Sequence, residues 1–143
     1  MWPDRFRESL AEWNALRDRC KNTKDLEQML HLVNDWWFRV PIVTKHLHPM
    51  DVENWPNPWE LLSDNLFCEL ARAVGIVYTL MCIDRPELGN IEILVTDEDN
   101  LVRVCQGKYT LNWAPMTIVN NLDTENRIKY IIDSQQLKNK INE

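Results

Sequence analysis

The spacing of apolar residues changes once along this chain, near residue 90, and that change limits the architectures open to it. Before it, apolar side chains recur every three or four residues; after it, they alternate. Phe6, Leu10, Trp13, Leu16 and Cys20 form one stripe, which predicts a helix over 4–20 that starts behind Pro3 and Asp4. Leu26, Met29, Leu30, Val33, Trp36, Trp37 and Val40 predict a second over 24–40, opened by Thr23 and Asp25 and ended by Pro41. Trp59, Leu62, Leu66, Phe67, Leu70, Val74, Val77, Tyr78 and Met81 predict a third over 58–82, apolar around much of its circumference as a central core helix would be. Gly75 in its middle marks a bend or the close approach of another backbone.

Past Asp84–Asn90 the period is two. Strands are expected at 91–96, 101–105 and 108–113, joined by the polar turn Asp97–Asn100 and a tight hairpin at Gln106-Gly107. Ile118-Val119 can add a short piece, Arg127–Ile132 can form a further strand, and Ser134 can cap a short last helix through Ile141. Helices first and a small antiparallel meander afterwards is an α+β pattern, and three strands rarely stand alone, so both halves are expected to share one core in a single domain, 1–143. The connector between the second and third helices, residues 44–59, holds neither Gly nor Ser. Its Trp55-Pro56-Asn57-Pro58-Trp59 run reads as an ordered, packed loop.

Composition excludes several classes of function. A net charge of −6 with no long basic run argues against nonspecific nucleic-acid binding. Three glycines in the whole chain leave no phosphate-cradling loop. The opening Met1-Trp2-Pro3-Asp4-Arg5 turns at once to charge, so no secretory leader is expected, and the longest apolar run, Ala73–Ile83, is too short for a bilayer. Cys20, Cys68, Cys82 and Cys105 are far apart with no Cys-x-x-Cys pair, as buried reduced thiols in a reducing compartment such as a bacterial cytoplasm would be. Asp97-Glu98-Asp99 lacks the spacing of a calcium loop and reads as a solvated turn. No cofactor is expected.

Three features carry candidate chemistry. His46 and His48, two apart, share a side if extended and are the residues a metal would take, with Asp51, Glu53 or a cysteine as a third ligand. Trp36, Trp37, Trp55 and Trp59 cluster with Pro41, Pro49, Pro56 and Pro58. Large rings against prolines make rigid, low-entropy contact surfaces, so Trp36, Trp37, Trp55, Pro56, Pro58 and Trp59 are the expected interaction residues, with an aromatic mini-core as the alternative. Cys68 is the one candidate nucleophile, placed where Asp64 or Asn65 can cap a helix just before it.

The order of Cys68 on a helix followed by strands resembles, over residues 60–113, a papain/transglutaminase-like core. The resemblance places Asn100 near the position of the histidine and Asn112 near that of the aspartate. Both are departures, because an asparagine accepts no proton, and His31, His46 and His48 all precede Cys68. A second resemblance rests on Trp36-Trp37-Phe38-Arg39-Val40-Pro41, Leu47-His48-Pro49, Trp55–Leu62, Ala71–Leu80 and Gly107–Trp113. Over residues 33–120 these resemble a group of small proteins encoded by tailed phages of aquatic bacteria. That resemblance implies a phage protein made in the host cytoplasm during infection or carried in the virion. The resulting expectation is a noncatalytic protein that docks to other proteins, phage structural proteins or its own copies, as a virion or assembly component. It would bind neither nucleic acid nor membrane. The rivals are a cysteine hydrolase or transglutaminase-like enzyme with Cys68 as nucleophile, and an intracellular phage factor that binds and inhibits a host protein.

Overall fold

The computed structural model describes residues 2–43, 47–123 and 127–141. Its order is α1 (Phe6–Lys21), α2 (Leu26–Trp37), α3 (Pro58–Asp64), α4 (Glu69–Ile83), then β1 (Glu92–Thr96), β2 (Asn100–Val104), β3 (Tyr109–Ala114), β4 (Thr117–Asn120) and β5 (Ile128–Asp133), closed by a 3-10 turn and α5 (Lys138–Ile141). This is the α+β arrangement that the change of period implies.

Helix α4 is the centre of the molecule. Of its residues only Glu69, Met81 and Cys82 are not fully buried, because α1, α2 and α3 pack around it and the sheet lies against it. Gly75 is required there by a ring and not by a backbone: a Cβ at this position would overlap the six-membered ring of Trp37. The indole N–H groups of Trp37 and Trp13 both donate to the Thr79 hydroxyl at 2.9 Å, and that hydroxyl donates to the Gly75 carbonyl at 2.8 Å. Every polar atom of this layer is thus paired, as deep burial demands.

The predicted helix over 58–82 is two helices. Asn57 opens α3 by a reciprocal capping box with Glu60. Asn65 then stops it in the left-handed region at φ 55°, a conformation that asparagine tolerates better than most residues. Its side-chain oxygen accepts the Trp2 indole N–H at 2.7 Å, which fixes the break. The chain runs extended through Phe67, which bridges to Ile42, before α4 begins. The second helix is capped by Asp25, whose carboxylate accepts the Glu27 N–H, and ends at Trp37, three residues short of the expectation. Thr23 instead returns its hydroxyl to the Arg19 carbonyl.

The sheet has five antiparallel strands in the order β4-β3-β2-β1-β5, so the last strand returns beside the first. Ile93, Val95, Val102, Val104, Leu111 and Ile132 join the helices in one continuous apolar cluster. Leu94 and Leu101, paired across β1 and β2, are buried on the opposite face, outside that cluster. The cap of the last turn is Asp133, one residue before the expected Ser134, in a second capping box with Gln136. The connector is packed: the Trp55 indole donates to the His48 carbonyl at 2.9 Å, the Tyr78 hydroxyl donates to the Pro56 carbonyl at 2.6 Å, and the Lys140 ammonium donates to the carbonyls of Glu53 and Trp55. No helix among the described residues is long and apolar enough to cross a membrane.

Candidate functional site

The break after Asn65 places Cys68 itself at the N-cap of α4, not in its first turn. Its sulfur accepts the Ala71 N–H at 3.4 Å, and its side chain is 4% exposed. A groove of about 230 Å³ beside it is lined by Ile42, Val43, Cys68, Glu69 and Leu70.

One turn into the helix, Arg72 is buried in the apolar run that carries it. Its guanidinium lies 3.8 Å over the Phe38 ring, and its Nε–H donates to Asn112 Oδ1 at 2.6 Å. Burial pulls the guanidinium below its ordinary pKa, and the nearby Glu69 charge works against that. Asn112 stands in the left-handed region at φ 67°, where the register between β3 and β4 shifts. That geometry turns its side chain toward α4 and its N–H toward α2. The N–H donates to Asn34 Oδ1 at 2.8 Å, and Nδ2 donates to the carbonyls of Asn100 at 2.6 Å and Glu69 at 3.4 Å. Asn34 in turn donates to the Ala114 carbonyl at 3.2 Å. The start of α4, the middle of α2 and the ends of β2 and β3 are bound into one amide network.

The structure brings Asn112 to the Glu69 carbonyl at the start of α4 and to the Asn100 carbonyl, and neither asparagine lines the groove beside Cys68. Their chemistry also differs from that of the histidine and aspartate the resemblance implies. In a working triad the third residue's oxygen orients an imidazole and stabilises its cation. Here Arg72, a permanent cation, holds that oxygen, and Asn100 contributes its main-chain carbonyl. His31 lies half-buried on α2, and His48 accepts the Met50 N–H on its Nδ1 at 3.1 Å; neither lines the groove. His46 lies outside the described residues, so the His46/His48 pair is not described as a whole. Among the described residues no group of three or more His, Cys, Asp or Glu could hold a metal ion.

The expected interaction residues are corrected by burial. Trp37 is 1% exposed and Trp55 3%; Trp36 and Pro58 are also buried, and Pro56 and Trp59 are half-buried. The reason is geometric. Trp37 fills the notch over Gly75, and Trp36 and Trp37 meet edge-on at 5.0 Å, with Trp2 wedged 4.7 Å from Trp36 and 5.4 Å from Phe67. Trp59 meets Trp13 edge-on at 6.4 Å. The aromatic mini-core is the form these rings take. The exposed large apolar residues are others: Phe6 at the start of α1, Ile42 and Val43 at the Cys68 groove, Leu66 between α3 and α4, Trp113 and Met116 at the β3–β4 turn, and Met50 and Ile131 near β5. Arg72 and Asn34 went unrecognised in the sequence. The available signal was a lone charge inside the apolar run Leu70–Ile83.

Of the remaining thiols Cys20 is buried, whereas Cys82 and Cys105, expected to be buried, are only half-buried, at the end of α4 and just past β2. Burial pushes Cys20 up to about 11, and Cys82 and Cys105 are also raised by burial. Comparison of the chain with family models, with curated proteins and with solved structures finds no match.

Proposed function

We propose that this chain is a noncatalytic protein of phage origin that works by docking to other proteins, as a component of the virion or an accessory assembled with it. The observation that carries the reading is the state of the amides that meet the first turn of α4, the helix Cys68 caps. Asn112 has its N–H, Oδ1 and Nδ2 all engaged, with Arg72 on the oxygen that a triad would aim at an imidazole. A residue so committed stabilises the fold and is not free to direct a proton. The resemblance to proteins of tailed phages supplies the biological setting. The contact surface is then not the Trp/Pro connector but the exposed apolar residues outside it, among them Ile42, Val43 and Leu66. Mass spectrometry of purified virions tests the reading: the protein is expected at a fixed ratio to the other particle proteins. Its absence from particles would leave the intracellular factor that binds a host protein.

One observation favours a second reading, a thiol hydrolase or transglutaminase-like enzyme. Cys68 caps a helix and borders an open groove. Its test is alkylation by iodoacetamide at neutral pH. Docking predicts slow labelling of Cys68, comparable to that of the other three thiols; rapid, selective labelling would establish an activated thiol.

A further inference from the structure

Strand β5 is an edge of the sheet, hydrogen-bonded to β1 alone among the described strands. Its main-chain directions follow from a neighbouring bond. The Ser134 N–H donates to the Ile91 carbonyl, so in this register Ile132 and Tyr130 also turn their main-chain groups to β1. Those of Asp133 and Ile131 face outward; Lys129 is the extra residue where the register with β1 shifts, and its side chain is largely exposed. The Asp133 N–H confirms the direction, since it is met on that side by Gln136 Oε1 at 2.9 Å. Gln136 thus closes one end of the edge and leaves its centre, Ile131, open. Ile131 is 51% exposed and Met50, beside the same edge, is 69% exposed. The groove between β5 and the segment around Met50 measures about 700 Å³.

We propose that β5 pairs antiparallel with β5 of a second copy about a two-fold axis at Ile131, giving one continuous sheet through both subunits. The charges select this occupant and this register. When Ile131 faces its own copy, Lys129 stands opposite Asp133 of the other subunit, and the pair occurs twice by symmetry. A lysine on an edge ordinarily discourages pairing. Here a shift that set Lys129 against its own copy would place like charges face to face, so the lysine excludes that register and favours the other. In the single chain Lys129 pairs with Asp97, both largely exposed, and its ammonium can turn to the new carboxylate at little cost. Asp133 receives Gln135 N–H on one oxygen and the Asn90 amide on the other, and each oxygen keeps a free lone pair for the incoming lysine. The Ile131 N–H and carbonyl find partners in the same act, and Met50 of each copy covers the seam.

This inference rests on the sheet edge alone and holds whether or not the protein enters a virion. Sedimentation velocity of the full chain over a micromolar concentration series is expected to show a reversible monomer–dimer equilibrium, weakened by salt. Ile131→Pro removes an outward N–H that makes no bond among the described residues, so its circular dichroism should match the wild type while the dimer is lost. Lys129→Asp, which sets like charges opposite each other, should weaken the dimer about tenfold. Ile131→Cys should form a disulfide across the axis on mild oxidation. A wild-type chain that stays monomeric at high micromolar concentration would overturn the proposal, as would a dimer indifferent to Ile131→Pro, which would place the contact elsewhere or give the edge to another protein. Either failure leaves the virion test untouched.

Discussion

Among the described residues, the polar groups around Thr79 and those around Asn112 are buried by opposite means. Around Thr79 a single neutral hydroxyl serves two tryptophans and one carbonyl inside an otherwise apolar layer. Around Asn112 a permanent cation and several amides are desolvated together. The first arrangement yields mainly packing energy, with the hydroxyl needed to avoid the cost of unpaired indole N–H groups. The second gains little net energy, since desolvating Arg72 offsets much of what its bonds return. What it provides is geometry: α2, α4 and two strands meet at one side chain. The contrast teaches that burial of polar groups beside a cysteine is not by itself a sign of catalysis.

Removing a ring from the apolar layer has the largest expected effect. Trp37→Ala should cost about 4 kcal/mol in denaturant unfolding, because it empties the space over Gly75 and strands Phe67 and Trp36. A loss under about 1 kcal/mol would mean that the layer is not the centre of stability described here.

Alkali should strike this apolar side next. The Cys20 thiol titrates at about 11 in the folded chain against an ordinary 9.0. Its contribution is fully present below pH 9, where both states are protonated, and is lost as pH rises through about 11, because the unfolded chain releases its proton first. The loss is on the order of 2–3 kcal/mol, and unfolding curves of Cys20→Ala should be flatter than the wild type over that window.

Thr79→Val keeps the shape and removes the hydroxyl, leaving two indole N–H groups unpaired. About 2 kcal/mol of stability should go, with a shift in tryptophan fluorescence as the indoles lose their acceptor.

The smallest effect is expected at the other region. Arg72→Met deletes the cation but fills its volume, and should cost only about 1 kcal/mol because the desolvation penalty disappears with the charge. Its signature is local: amide exchange at Asn112 and the β3–β4 turn should quicken while the aromatic layer stays protected. If Arg72→Met proved more damaging than Trp37→Ala, the comparison would be reversed.

The sequence made some of these elements legible and hid others for identifiable reasons. The amphipathic stripe Trp13, Leu16, Cys20 and the alternation Ile91, Ile93, Val95 each mark the residues that one element turns to the main core, which spacing along the chain records. The break between α3 and α4 was hidden because Leu62, Leu66, Phe67 and Leu70 keep helical spacing straight across it. Nothing local distinguishes Asn65 from a helical asparagine; its partner is Trp2, 63 residues away. The tryptophans posed a similar ambiguity, since an indole suits a contact surface and a core equally well until its neighbours are known. The resemblance to a cysteine-hydrolase core singled out Asn100 and Asn112 but not Arg72, whose bond to Asn112 spans 40 residues and is visible only in the coordinates.

By itself the sequence determined where helices give way to strands, that one apolar helix lies at the centre, and that turn-rich segments punctuate the chain at 55–59 and 84–90. These follow from side-chain periodicity and from backbone preferences, which act over a few residues. The tertiary structure alone decided that Asn65 turns left-handed, that Trp37 rests on Gly75, that Asn112 gathers two helices and two strands, and that β5 is left as an edge. Each of these joins residues dozens of positions apart, and a contact of that range is set by which surfaces meet when the core closes.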